Sequence, residues 1–227
     1  MIRNRVVLND ETLRFLKRKI IIPLIGTIFI MSASMVNAQK YVFYLHGAIL
    51  EGENPQAKGD IFEKYRYNDI LNSFRTAGFE VVSEIRPSDA TITGYARKVA
   101  DQMQKLIQNG APAGNITVVG GSKGALIAMY VSTYMKNRDI NYVFLAACNA
   151  ANFQSNPDLR FYGNILSIYE SSDDIGETCS RFKERSKEAI HHYKEIELST
   201  GMGHQFLWKP LPEWINPSIA WANGKYD

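Results

Sequence analysis

From Tyr41 onward, short apolar runs rich in β-branched and aromatic residues alternate with longer segments whose apolar positions recur every three or four residues. The short runs predict strands over Tyr41 to Leu45, Glu80 to Ile85, Ile116 to Val119, Tyr142 to Ala146, Ile165 to Tyr169 and Lys194 to Leu198. Taken together they read as strands buried on both faces rather than as alternating ones. Between them the longer periodicity predicts helices near Ile61 to Ala77, Thr91 to Asn109, Ser122 to Lys136 and Cys179 to His191. The second of these places Val99, Met103, Leu106 and Ile107 on one face. Ala77-Gly78 and Asn109-Gly110-Ala111-Pro112 supply helix stops. Strands alternating with helices predict an α/β fold, a mostly parallel sheet of about six strands with helices on both faces. The interval from Cys148 to Asn164 is too short for a lid domain.

Residues 1–38 read differently. A basic stretch ending in Arg14, Lys17, Arg18 and Lys19 precedes an apolar run from Ile20 to Met31, and small residues follow up to Ala38. This is the layout of a secretory signal cleaved after Ala38, leaving residues 39–227 as one domain. The apolar run falls short of the roughly 17 to 20 residues that span a bilayer, so membrane contact is expected only transiently through this segment. The product is expected to be soluble and exported, periplasmic or secreted. In such a compartment Cys148 and Cys179 could form a disulfide, although spacing alone does not fix the geometry.

Charge changes the picture once. The chain of 227 residues carries a formal +3, but the leader holds six Lys/Arg against two acids. From Gln39 onward 20 basic residues meet 21 acidic ones, which removes the electrostatic case for a nucleic-acid partner.

The chemistry concentrates in Gly120-Gly121-Ser122-Lys123-Gly124, a G-x-S-x-G pattern between a predicted strand and a predicted helix. A serine there is forced onto a tight strand-to-helix turn, where the Lys123 N–H can stabilise an oxyanion. Phosphate-loop and dinucleotide spacings both fail at these glycines. Leu45-His46-Gly47-Ala48 follows the first strand, so a backbone N–H of Gly47 or Ala48 can complete the oxyanion hole, with His46 in a structural role. After the serine, Ser171-Ser172-Asp173-Asp174 and then Gly201-Met202-Gly203-His204 each follow a predicted strand. The order Ser122, acid, His204 makes His204 the candidate base. Asp173 is preferred to Asp174 from the loop count. His191 and His192 are expected on a helix, away from this chemistry.

These motifs resemble those of the α/β-hydrolase superfamily, over about Tyr41 to Trp214. The chain looks like the small lidless serine esterases, and like exported bacterial hydrolases of unassigned substrate through Tyr44-Leu45-His46-Gly47 and Ser122-Lys123-Gly124-Ala125. The resemblance implies hydrolysis of a small-molecule ester or acyl substrate, a thioester included, through an acyl-enzyme on Ser122, without metal or cofactor. It also marks two departures: the family's first two strands have no room before Tyr41, and Lys123 stands where many relatives carry an apolar residue. Arg86, at the end of the second predicted strand, is a candidate substrate-binding residue, together with Lys123, for esters bearing an acidic group. Surface ion pairs with Glu51, Glu53 or Asp174 are the plainer reading of both. A catalytically silent binding or surface protein of the same fold is the alternative from another class, and an acyltransferase using the same three residues is a third.

Overall fold

A computed structural model describes residues 39–53 and 64–227. The leader and its cleavage point lie outside these residues, as does the start of the helix predicted from Ile61. Six strands form one sheet: β1 (Tyr41–Leu45), β2 (Glu80–Val82), β3 (Ile116–Gly121), β4 (Asn141–Leu145), β5 (Gly163–Glu170) and β6 (Ile190–Leu198). Their order is β2-β1-β3-β4-β5-β6, with every neighbouring pair parallel. β1 lies inside the sheet, between β2 and β3.

Among the described residues six α-helices accompany the strands: α1 (Tyr67–Thr76), α2 (Ile92–Gln108), α3 (Lys123–Met135), α4 (Ala150–Ser155), α5 (Ser180–Ser186) and α6 (Pro212–Ala222). The alternation of side chains along each strand divides the core. Val42, Tyr44, Val119, Val143, Leu145, Leu166 and Ile168 pack with α1 and α6 on one face. Phe43, Val118, Tyr142, Phe144 and Ile165 pack with α2 and α3 on the other. The Thr91 hydroxyl caps α2 by accepting from the Gly94 N–H at 3.2 Å.

Two local expectations are corrected. The helix predicted to reach His191 ends at Ser186, and His191 and His192 belong to β6. There the segment from Ile190 to Leu198 pairs along β5, and sheet pairing overrides helix periodicity. β2 stops at Val82, so Arg86 lies beyond the strand rather than at its tip. The C-terminal helix α6 was not among the predicted elements; Pro212 occupies its first helical position, where no N–H is needed.

Because all strands run the same way, their carboxyl ends share one side of the sheet. The chain order reverses between β1 and β3, which opens a crevice beyond these two strand ends.

Candidate functional site

The crevice is filled by the turn after β3. Ser122 has φ 54° and ψ −124°, a conformation L-residues adopt only at a cost of about 1–3 kcal/mol. The turn is held by Ser122 N–H donating to the Leu145 carbonyl at 2.9 Å and by Ala125 N–H donating to the Ser122 carbonyl at 2.8 Å. Such a tight turn leaves no room for side chains on either side. A Cβ on Gly120 would meet the Gly124 carbonyl carbon at 2.6 Å, and one on Gly124 would meet the His46 carbonyl oxygen at 2.6 Å. Lys123 opens α3, and an N–H in the first turn has no acceptor within its own helix. Among the described residues the Ser122 hydroxyl makes no hydrogen bond, so its proton and lone pairs are uncommitted.

The His46-Gly47 loop lies against this turn: a Cβ on Gly47 would stand 3.5 Å from the Ser122 Cβ. Ala48 begins the 3-10 turn Ala48–Leu50 and is exposed. His46 is fully buried. Its Nε2 accepts the Arg86 backbone N–H at 2.9 Å, so Nδ1 carries the ring proton and donates to the Gly47 carbonyl at 2.7 Å. Burial, reinforced by the Arg86 charge, lowers the imidazole pKa to about 4. A ring held neutral with both nitrogens engaged is structural, as expected from the sequence.

Arg86 is a correction. Its side chain has 0% exposure and is not on an open rim. Nη2 donates to the His46 carbonyl, and Nε donates to Glu51 Oε1 at 3.0 Å. The other Glu51 oxygen accepts from Lys123 Nζ at 2.7 Å. Arg86 and Lys123 thus share one carboxylate, and Glu51 ties the His46-Gly47 loop to the residue after Ser122. The chain turns inward after β2, and a buried guanidinium there requires the anion that Glu51 supplies.

Across the crevice, the acid and the histidine meet. Asp173 follows β5 with its side chain fully buried, and Asp174 beside it is exposed. Asp173 Oδ2 accepts from His204 Nδ1 at 2.8 Å, while Oδ1 accepts the Ile175 N–H at 2.8 Å. With Nδ1 donating, a neutral His204 ring presents Nε2 as a proton acceptor. His204 lies on the 3-10 turn Gly203–Trp208, and its side chain is 22% exposed. This turn packs against the residue before the serine: Leu207 comes within 3.5 Å of where a Gly121 Cβ would stand. From below it is fixed by α6: Trp214 Nε1 donates to the carbonyls of Phe206 and Lys209 at 3.2 and 2.9 Å.

Two further features hold the acid loop. Cys148 and Cys179 form a disulfide with Cα atoms 5.1 Å apart, closing the segment that runs on from Asp173 against the end of β4. Glu170, which the sequence did not single out, is buried beneath both loops and hydrogen-bonds to each. The aromatic side chains of Tyr65, Tyr67, Phe161 and Phe206 are buried in the core.

No family model and no curated protein sequence matches the chain. Solved structures do. An esterase from Pyrococcus furiosus matches 82% of this chain and 83% of its own at 14% identity, with a TM-score of 0.54. A fungal esterase from Rhizomucor miehei matches 85% and 77% at 15% identity and 0.55. A type II thioesterase of yersiniabactin biosynthesis matches 85% and 96% at 8% identity and 0.52. At these identities the likeness establishes the fold: a six-stranded parallel α/β-hydrolase fold with no separate lid domain among the described residues.

Proposed function

We propose that the protein is a serine hydrolase that cleaves a carboxylic ester or thioester through an acyl-enzyme on Ser122. The observation that carries this reading is the Asp173–His204 pair at 2.8 Å, its histidine presenting Nε2 from a turn that packs against Gly121, the residue before Ser122. His204 Nε2 takes the Ser122 proton as Oγ attacks the acyl carbon, and Asp173 fixes the ring tautomer and stabilises the imidazolium. The oxyanion receives N–H donors from Lys123 and from Gly47 or Ala48. The imidazolium protonates the leaving group, and water, activated by His204, hydrolyses the acyl-enzyme. No step calls on a metal or a cofactor.

Supporting the reading against a silent protein of the same fold, the strain at Ser122 costs stability without return unless the hydroxyl works. The esterases and thioesterase of the same fold agree with an ester or thioester substrate. Export is part of the proposal: the leader over residues 1–38 has the signal layout, and a disulfide suits an oxidising compartment. The acidic-substrate preference is not carried forward, because Arg86 is internal and Lys123 is already paired.

Turnover of p-nitrophenyl acetate and butyrate tests the reaction. Ser122→Ala and His204→Ala are each expected to lower kcat by roughly 10⁴ or more. Turnover in either variant within tenfold of the parent would refute the assignment.

A further inference from the structure

Glu170 is the last residue of β5 and is 1% exposed. Its two carboxylate oxygens serve different loops. Oε2 accepts from the backbone N–H of Ser172 at 2.8 Å and from the Ser172 hydroxyl at 2.5 Å. Oε1 accepts from the N–H groups of Thr200 and Gly201, at 2.9 and 3.0 Å. The ring closes above them, where the Gly203 N–H donates to the Ser172 hydroxyl oxygen at 3.2 Å. Ser172 directly precedes Asp173, and Gly203 directly precedes His204.

A carboxylate in such a place is expensive unless its lone pairs are filled, and every partner found here is a neutral donor aimed at it. Hydrogen bonds from Ser172, foremost its hydroxyl, hold the carboxyl below the usual glutamate range against the opposing pull of burial, so it is ionised at neutral pH. An apolar residue would fill the same space but leave the N–H groups of Ser172, Thr200 and Gly201 without this acceptor. Nor could it bind both loops at once beyond the β5–β6 ladder, which ends at Glu170 and Leu198.

We propose that Glu170 is a positioning residue that sets the separation and orientation of Asp173 and His204 by binding one loop with each carboxylate oxygen; this rests on the serine-hydrolase reading above. Glutamine is not a conservative replacement here. Its carboxamide offers one acceptor oxygen, and its NH₂ would face N–H donors on the other side, so one loop is released whichever way the amide turns.

The test is Glu170→Gln alone and combined with Asp173→Asn, with kcat, KM and melting temperature measured for each. Glu170→Gln is expected to lower kcat by about 10- to 100-fold, with KM changed less than about threefold, since misplacement of the pair by a fraction of an ångström is enough. In the Asp173→Asn background, where the pair is already broken, the same change should cost less than about threefold, because both substitutions act on one unit. An equal loss in both backgrounds, or an unchanged kcat beside a lowered melting temperature, would overturn the proposal and leave Glu170 a cap. If Glu170→Gln does not fold, Ser172→Ala removes only the bridging hydroxyl and should repeat the pattern at about 3- to 10-fold. The downfield proton resonance of the His204 Nδ1–H···Asp173 bond separates this proposal from the reading beneath it. Its loss in Glu170→Gln supports the positioning role even if the parent protein shows no esterase turnover, and an unchanged resonance sinks it.

Discussion

Placing a second proton on His46 would remove the acceptor of the Arg86 N–H and set a cation beside a buried guanidinium. That is why burial and Arg86 hold the pKa near 4, against 6.5 for an ordinary histidine. Between those values the unfolded chain binds the proton and the folded one does not. The contribution is therefore complete above about pH 6.5 and is lost as pH falls toward 4. Integration over the titration gives a loss of about 2 kcal/mol between pH 7.5 and pH 5, rising to about 3 kcal/mol near pH 4. Against a typical total of about 5–15 kcal/mol this is large, and it corresponds to a melting-temperature drop of roughly 4–8 °C at pH 5. Urea unfolding at pH 7.5, 6 and 5 measures it, with His46→Gln as the reference. Its amide oxygen can accept the Arg86 N–H but cannot titrate. Carboxylates held low, such as Glu170, lose their contribution at more acidic pH and do so in both proteins. The parent should lose about 2 kcal/mol more than the variant between pH 7.5 and 5. Equal losses would refute the account of His46 as a neutral strut of the loop beside Ser122.

Other expectations follow from the same contacts. Glu51→Gln strips the counter-ion from a buried Arg86 and should cost about 3–5 kcal/mol in urea unfolding; a cost under 1 kcal/mol would contradict the buried pairing. Cys148→Ser with Cys179→Ser opens a 31-residue separation and should cost about 3–4 kcal/mol by the loop-entropy relation. Unchanged stability would mean the bond is not formed in the protein. Lys123→Met should leave the kinetic ratio between neutral and carboxylate-bearing esters within about threefold, because the exposed share of that ion pair is weak; a tenfold change would restore Lys123 as a substrate contact.

How far the sequence carried these conclusions depended on how local each signal was. The β3 strand, Ser122, and the paired glycines at Gly120 and Gly124 lie within a few residues of one another, and their steric logic is readable without the rest of the chain. Asp173 and His204 were legible through loop position after successive strands, since a parallel sheet sends such loops to one side. The pairing of Arg86 and Lys123 with Glu51 was legible as the plainer reading, but the burial of Arg86 was not, because β2 ends at Val82 and the chain carries Arg86 inward. Glu170 escaped notice for a related reason: a glutamate at a strand end looks like a solvated charge until Thr200 and Gly201 are brought to its far oxygen. His191 and His192 show the opposite failure, in which a local helical period yielded to pairing with β5.

The central claim is that Ser122 is an activated nucleophile, and covalent labelling tests it most directly. The purified protein would be treated with a fluorophosphonate and analysed by intact mass and peptide mapping, with Ser122→Ala and His204→Ala in parallel. The account predicts one adduct per chain, on Ser122, absent in Ser122→Ala and formed at least about a hundredfold more slowly in His204→Ala. No adduct on the parent protein, or the same adduct in Ser122→Ala, would contradict it.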